Sequence, residues 1–201
     1  FQRSNFQQEI HELYYDLSVF GTAALYVQED PQGIRFACRH IAEITVSENQ
    51  DGRVDTVYRH FKMTARAIAQ QFPDENLPAK IKKDVENNPY AEHDLVHAVY
   101  PRPETGGKRA INKPVASVYY TDGDRQLLSE SGFDEFPFMV CRFVKDSVST
   151  YGRSPAMTAL PDVKMLNKMS ETTIKSAQKQ IDPPLMVPDD GFMMPIRTTP
   201  G

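Results

Sequence analysis

The chain has 201 residues, 40% of them hydrophobic and 25% charged, with a formal net charge of −4. This is room for one sizeable domain, or a domain plus an extension, with the composition of an ordinary soluble protein. Net acidity argues against a dedicated nucleic-acid-binding module, though not against a local basic patch. No apolar run reaches the roughly 18 residues that a membrane helix needs, and none reads as a signal peptide.

Taken in chain order, Phe6, Ile10, Leu13, Leu17 and Phe20 recur at helical spacing from about Ser4, and Gly21 stops the pattern. AALYVQED then reads as a strand, followed by GIRFACRHIAEITVSE and RVDTVYRHFKM as further strands, with Asn49-Gln50-Asp51-Gly52 as a hairpin turn. Thr64 is positioned to cap a short helix, ARAIAQQF, that Pro73 ends. A second short helix, LPAKIKKDVEN, carries a proline at its start and stops before Pro89. DLVHAVYPR restores strand character, and the Pro-, Gly- and charge-rich RPETGGKRAINKP is read as an exposed, mobile loop. VASVYY and QLLSES flank Thr121-Asp122-Gly123-Asp124, a second hairpin signal, and EFPFMVCRFVKD completes the β material. The expected fold is therefore α+β, a mostly antiparallel sheet with flanking helices over residues 1–150, followed by a long amphipathic helix. Cys38 and Cys141, in FACRH and MVCRF, read as reduced core cysteines on buried strands.

The long helix starts at Ser154-Pro155, where a hydroxyl cap precedes a proline whose missing N–H costs nothing. Pro161 is expected to kink or restart it, and Pro183-Pro184 to end it, giving a segment 151–182 and a Pro-rich extension 183–201. With Lys164 at zero and roughly 100° per residue, Lys168, Lys175 and Lys179 fall at roughly 40°, 20° and 60°. Val163, Leu166, Ile174, Ala177 and Ile181 fall on the opposite side. A stripe of lysines backed by aliphatics suggests an anionic surface or solvent on one side and protein on the other.

Patterns that suggest catalysis do not complete. His93-Asp94-Leu95-Val96-His97 has the histidine spacing of a zinc helix, but Asp stands where the general-base Glu belongs. It also lies in a strand pattern that puts His93, Leu95 and His97 on one face. GRSP lacks the second glycine of a nucleophile elbow, and Gly106-Gly107-Lys108 lacks the first glycine and the Ser/Thr of a phosphate loop. Lys108 and Arg109 are left as an exposed basic loop. No acidic set reads as a two-metal nuclease, so neither catalytic residues nor a metal or cofactor are expected.

Several long stretches, in order, carry a resemblance. They are DLSVFGTAALYVQED (Asp16 to Asp30), GRVDTVYRHFKMTARAIAQQF (Gly52 to Phe72), YAEHDLVHAVYPR (Tyr90 to Arg102), SESGFDEFPFMVCRF (Ser129 to Phe143), YGRSPAMTALPDVKMLNKMSETTIKSAQKQ (Tyr151 to Gln180) and DPPLMVPDDG (Asp182 to Gly191). Together they resemble the portal proteins, or head-to-tail connectors, of T7-like short-tailed bacteriophages. That resemblance implies a structural subunit of a ring, typically of twelve copies, at one capsid vertex. Double-stranded viral DNA would enter the ring under a terminase ATPase and leave it at ejection, and tail adaptor and capsid proteins would dock on it. No membrane partner is implied. The location implied is the virion, with assembly in the host cytoplasm. The first 150 residues would be the wing, the helix would belong to wing or stem, and Lys164, Lys168, Lys175 and Lys179 would face the DNA channel or a neighbouring subunit. Portals are longer, so the chain reads as an internal piece. The alternative class, a free-standing enzyme or monomeric nucleic-acid-binding domain, has against it the missing constellation and the acidic charge.

Overall fold

A computed structural model describes residues 4–31, 33–103, 110–181 and 183. In chain order its elements begin with α1 (Phe6–Phe20), β1 (Thr22–Asp30), β2 (Gly33–Arg39), β3 (Ile44–Glu48), β4 (Val54–Thr64), α2 (Ala65–Gln71) and α3 (Ala79–Asn87). They continue with β5 (Glu92–Pro101), β6 (Val115–Thr121), β7 (Leu127–Phe133), β8 (Phe138–Arg142), β9 (Val144–Lys145), β10 (Gly152–Arg153) and α4 (Pro155–Ile181). The chain divides into two compact units, residues 1–157 and 158–201.

In the first unit the expected α+β fold is present, but its antiparallel strands form three sheets. Five strands make a meander in the order β3-β4-β5-β6-β7. Both expected hairpin turns are there, and side chains fix them. Asn49 Oδ1 accepts the N–H groups of Asp51 and Arg53 at 3.0 Å each, and Thr121 Oγ1 accepts that of Gln126 at 3.1 Å. A second sheet has the order β2-β1-β8, and β9 and β10 pair separately.

GIRFACRHIAEITVSE divides between two of these sheets. His40 Nδ1 accepts the Ala42 N–H at 3.2 Å and opens a single 3-10 turn, Ile41–Glu43, that carries the chain from β2 into β3. The second sheet closes when β8 pairs with β1, Ala24 opposite Val140, a contact that no local pattern announces.

Three apolar clusters hold the unit together. On one face of β1, Ala23 and Leu25 pack with Phe36, Leu13 and the helical set Phe6, Ile10 and Leu17. Its other face presents Ala24 and Tyr26 to Val46, Val57, Val99 and Phe138. The third cluster sets Ile68, Phe72, Leu77 and Ile81 against Leu95 and Leu128 of the five-stranded sheet. Burying such side chains contributes about 1.5–3 kcal/mol apiece. The outer edge of β2 is also covered. Asn5 exchanges two hydrogen bonds with the Phe36 backbone, at 2.7 and 2.9 Å, and Glu9 accepts the Cys38 N–H at 2.6 Å. An edge satisfied in this way offers less to a foreign strand.

Smaller departures have plain causes. Thr64 stands at the start of α2 but makes no capping hydrogen bond with its side chain. Cys38 is half-buried and Cys141 is exposed, so the core reading fails for Cys141 because β8 turns that side chain outward. Pro161 does not restart α4, which runs unbroken from Pro155 to Ile181. A proline there gives up one N–H bond, to the carbonyl four residues back, and the turns beyond it remain paired.

Candidate functional site

The start of the long helix is built from the sheet side. Gly21 ends α1 at φ 75° and lies against Gly152, so close that an added Cβ on Gly152 would sit 2.3 Å from the Gly21 carbonyl oxygen. Only glycine permits that approach. The Gly152 N–H donates to Thr22 Oγ1 at 2.8 Å, and the Phe143 N–H donates to the Gly21 carbonyl at 2.9 Å. Two residues on, Ser154 is 2% exposed, accepts the Met157 N–H at 2.9 Å and donates to the Val19 carbonyl at 2.7 Å. One hydroxyl thus caps α4 and ties its first turn to the end of α1. The serine of GRSP is a cap, as its sequence context indicates.

The β8–β9 corner is pinned by charge. Glu48 takes both Arg142 and Lys145, the latter at 2.9 Å, while Arg142 also donates to the carbonyls of Thr150 and Gly52 at 3.2 and 3.1 Å. Half-buried charge pairs that also donate to backbone carbonyls fix geometry more than they add stability.

Within the second unit, Lys164, Lys168, Lys175 and Lys179 all lie on α4 and are exposed. The stripe is not lysine alone. Glu171 falls on the same face at roughly 340°, and its carboxylate bridges Lys168, at 2.9 Å, and Lys175. Those two hydrogen bonds, Lys175 first, hold the Glu171 carboxyl below its ordinary value. Two of the four lysines are therefore compensated within the helix. The aliphatic side, Val163, Leu166, Ile174 and Ile181, is exposed along its whole length, and so are Met165 and Met169. Lys108 and Arg109 lie outside the described residues.

The two histidines of β5 share one face and go to different partners. His93 Nε2 is 3.1 Å from Asp84 of α3. His97, 2% exposed, bonds Ser117 Oγ at 2.9 Å and stacks on Tyr119 with ring centroids 3.9 Å apart. Burial, then the charges of Arg59 and Arg39, push its pKa down to about 3, so the ring is neutral. Sequence reasoning passed over this row. Ladder register sets Ile44, Arg59, His97, Tyr119 and Ser129 side by side across the five-stranded sheet. The only signal was an arginine on the inward face of an alternating strand.

The sequence family described as bacteriophage head to tail connecting protein matches residues 1–201. The chain is 34% identical over 195 residues to the portal protein of Salmonella phage epsilon15, covering 94% of this chain and 35% of that protein. It is 28% identical over 207 residues to the probable portal protein of Bordetella phage BPP-1, covering 100% of this chain and 37% of that one. The chain thus spans about a third of the length of either relative. No described helix is long and apolar enough to cross a membrane. A match along the whole chain, by family and by named relatives alike, is decisive: the chain belongs to the bacteriophage head-to-tail connecting protein family.

Proposed function

We propose that the chain is part of a portal subunit, a structural component of the ring at one capsid vertex through which double-stranded viral DNA is packaged and ejected. The match of the family over residues 1–201 carries this reading, and the relative named a portal protein supports it. In this assembly the subunit contacts further copies of itself in a ring of about twelve. Terminase engages the ring during packaging, and tail adaptor and capsid proteins dock on it. The subunit is a virion component, assembled in the host cytoplasm, and its work is structural, with no bond-breaking step assigned to it. Residues 1–150 form the wing-like α+β part, 151–182 the long helix of wing or stem, and 183–201 a Pro-rich extension. Head-to-tail contacts that repeat by rotation close such a ring.

Lysines at 164, 168, 175 and 179 are the candidates for contact with DNA or with the next copy. A belt of such helices neutralises phosphates without reading sequence, which suits a duplex that must slide. The first test is the solution mass and image of the full-length protein. Rings of about a dozen copies with an axial hole are expected, and a strict monomer at high concentration would overturn the proposal. Replacing the four lysines together by Gln then separates the roles. Intact rings with impaired packaging mark a channel contact, lost rings mark an interface, and unchanged packaging marks a solvated face.

A further inference from the structure

Between the two larger sheets of the first unit lies a cavity of about 460 Å³, lined by Tyr26, Arg39, Arg59, His97, Tyr119 and Gln71 among others. Its charge does not balance. Arg59 Nε donates to Glu43 Oε2 at 2.8 Å, and Arg59 also lies over the Phe61 ring, 4.1 Å from its centroid. Arg39 has Arg59 and Glu43 as its charged neighbours. Two guanidinium groups therefore share one carboxylate, which Arg59 already holds. The Arg39 Nε is buried and has no hydrogen-bond partner among the described residues. A buried donor left unmade costs about 1–3 kcal/mol, and more on a charged group.

The uncharged lining also points one way. His97 is neutral, with its Nε2 engaged by Ser117 Oγ. Burial raises the pKa of both Tyr26 and Tyr119, so both stay protonated phenols, and the two are hydrogen-bonded to each other. The walls thus offer a planar cationic fork, one phenolic O–H beyond the Tyr26–Tyr119 bond and the amides of Gln28 and Gln71, with no carboxylate among the lining residues. Paired guanidinium groups in a partly dry site match the geometry and charge of an oxyanion, which takes parallel N–H bonds from such a fork. The cleft suits a small ligand: a duplex cannot bring its backbone phosphates between two packed sheets.

We propose that this cleft is an oxyanion-binding site, in which Arg39, with Arg59 beside it, holds a phosphate or carboxylate group carrying one negative charge. The group can come from a free anion in solution or from an acidic side chain elsewhere in the full-length protein. The inference stands on the first unit alone and does not depend on the ring.

The test uses the full-length protein, wild type and Arg39→Met, melted in buffers of constant ionic strength with inorganic phosphate from zero to saturation. For a free anion, wild type gains a rise in Tm that grows with the logarithm of phosphate concentration, on the order of 2 °C at tenfold excess over Kd, and Arg39→Met gains none. A Lys164→Gln control keeps the rise. For an internal carboxylate, phosphate does nothing to wild type, and Arg39→Met lowers Tm by several degrees, because a buried acid loses its partner. Either pattern supports the site. A phosphate response that survives in Arg39→Met overturns it. So does no response together with a variant as stable as wild type or more so, because a half-buried arginine that holds no anion is replaced by methionine without loss.

Discussion

The buried ring of His97 makes a measurable claim about acid stability. In the native chain it is 2% exposed, stacked on Tyr119 and within the fields of Arg59 and Arg39, and its pKa falls from 6.5 to about 3. The unfolded chain accepts a proton that the folded chain refuses, so stability falls as pH drops below about 6.5 and goes on falling until the native ring titrates near 3. At 1.36 kcal/mol per pKa unit, His97 alone removes about 2 kcal/mol between pH 7 and pH 5. Carboxylates contribute their own pH dependence, so the quantity to measure is a difference of differences. Urea unfolding of wild type, His97→Gln and His97→Phe at both pH values gives it. Each replacement lowers stability at pH 7 through lost packing, and that constant cancels. The loss on moving from pH 7 to pH 5 is expected to be about 2 kcal/mol smaller in both variants than in wild type. Equal losses in all three proteins would refute the argument, as would an NMR titration of His97 with a midpoint above pH 5.

Ser154→Ala removes both the cap and the bond to the Val19 carbonyl, so a loss of about 2–3 kcal/mol is expected in denaturant unfolding. Gly152→Ala forces a Cβ to within 2.3 Å of a backbone oxygen that cannot swing away, and about 3 kcal/mol or more should disappear, read as a lowered Tm. Burial first, then Asp16, Glu12 and Glu9, push the Cys38 thiol up to about 12, so iodoacetamide at pH 8 should leave it unlabelled by mass spectrometry until urea unfolds the chain.

What could be read in the sequence was local. Both hairpins follow from an Asn or Thr side chain that folds back on its own turn, and α1 follows from five apolar residues and a terminating glycine. The cap of α4 follows from Ser-Pro. What could not be read depends on long-range pairing. Ala24 finds Val140, and Gly152 fits against Gly21, each across more than a hundred residues. A single strand pattern in GIRFACRHIAEITVSE gave no sign that His40 would pass the chain to another sheet. The Arg39–Arg59 cleft needed two sheets to be packed before the two arginines met. The helical stripe differed from these, because the same rotation that aligned the lysines also puts Glu171 among them.

That carboxylate changes what the stripe can do. Four lysines with Glu171 bridging two of them present less charge than four free lysines, and a phosphate must compete with Glu171 for Lys168 and Lys175. If the stripe meets DNA, Glu171→Gln frees about one further cation per helix. Each phosphate neutralised steepens the dependence of log Kobs on log salt by about 0.9. Full-length Glu171→Gln should then bind non-specific duplex more tightly at low salt, with a slope steeper by about one for each helix engaged. The four-lysine Gln variant should be correspondingly shallower. A slope left unchanged by both variants would place the stripe against protein or solvent. Weaker binding on loss of an acidic residue would contradict the electrostatic reading outright, since removing negative charge cannot repel an anion.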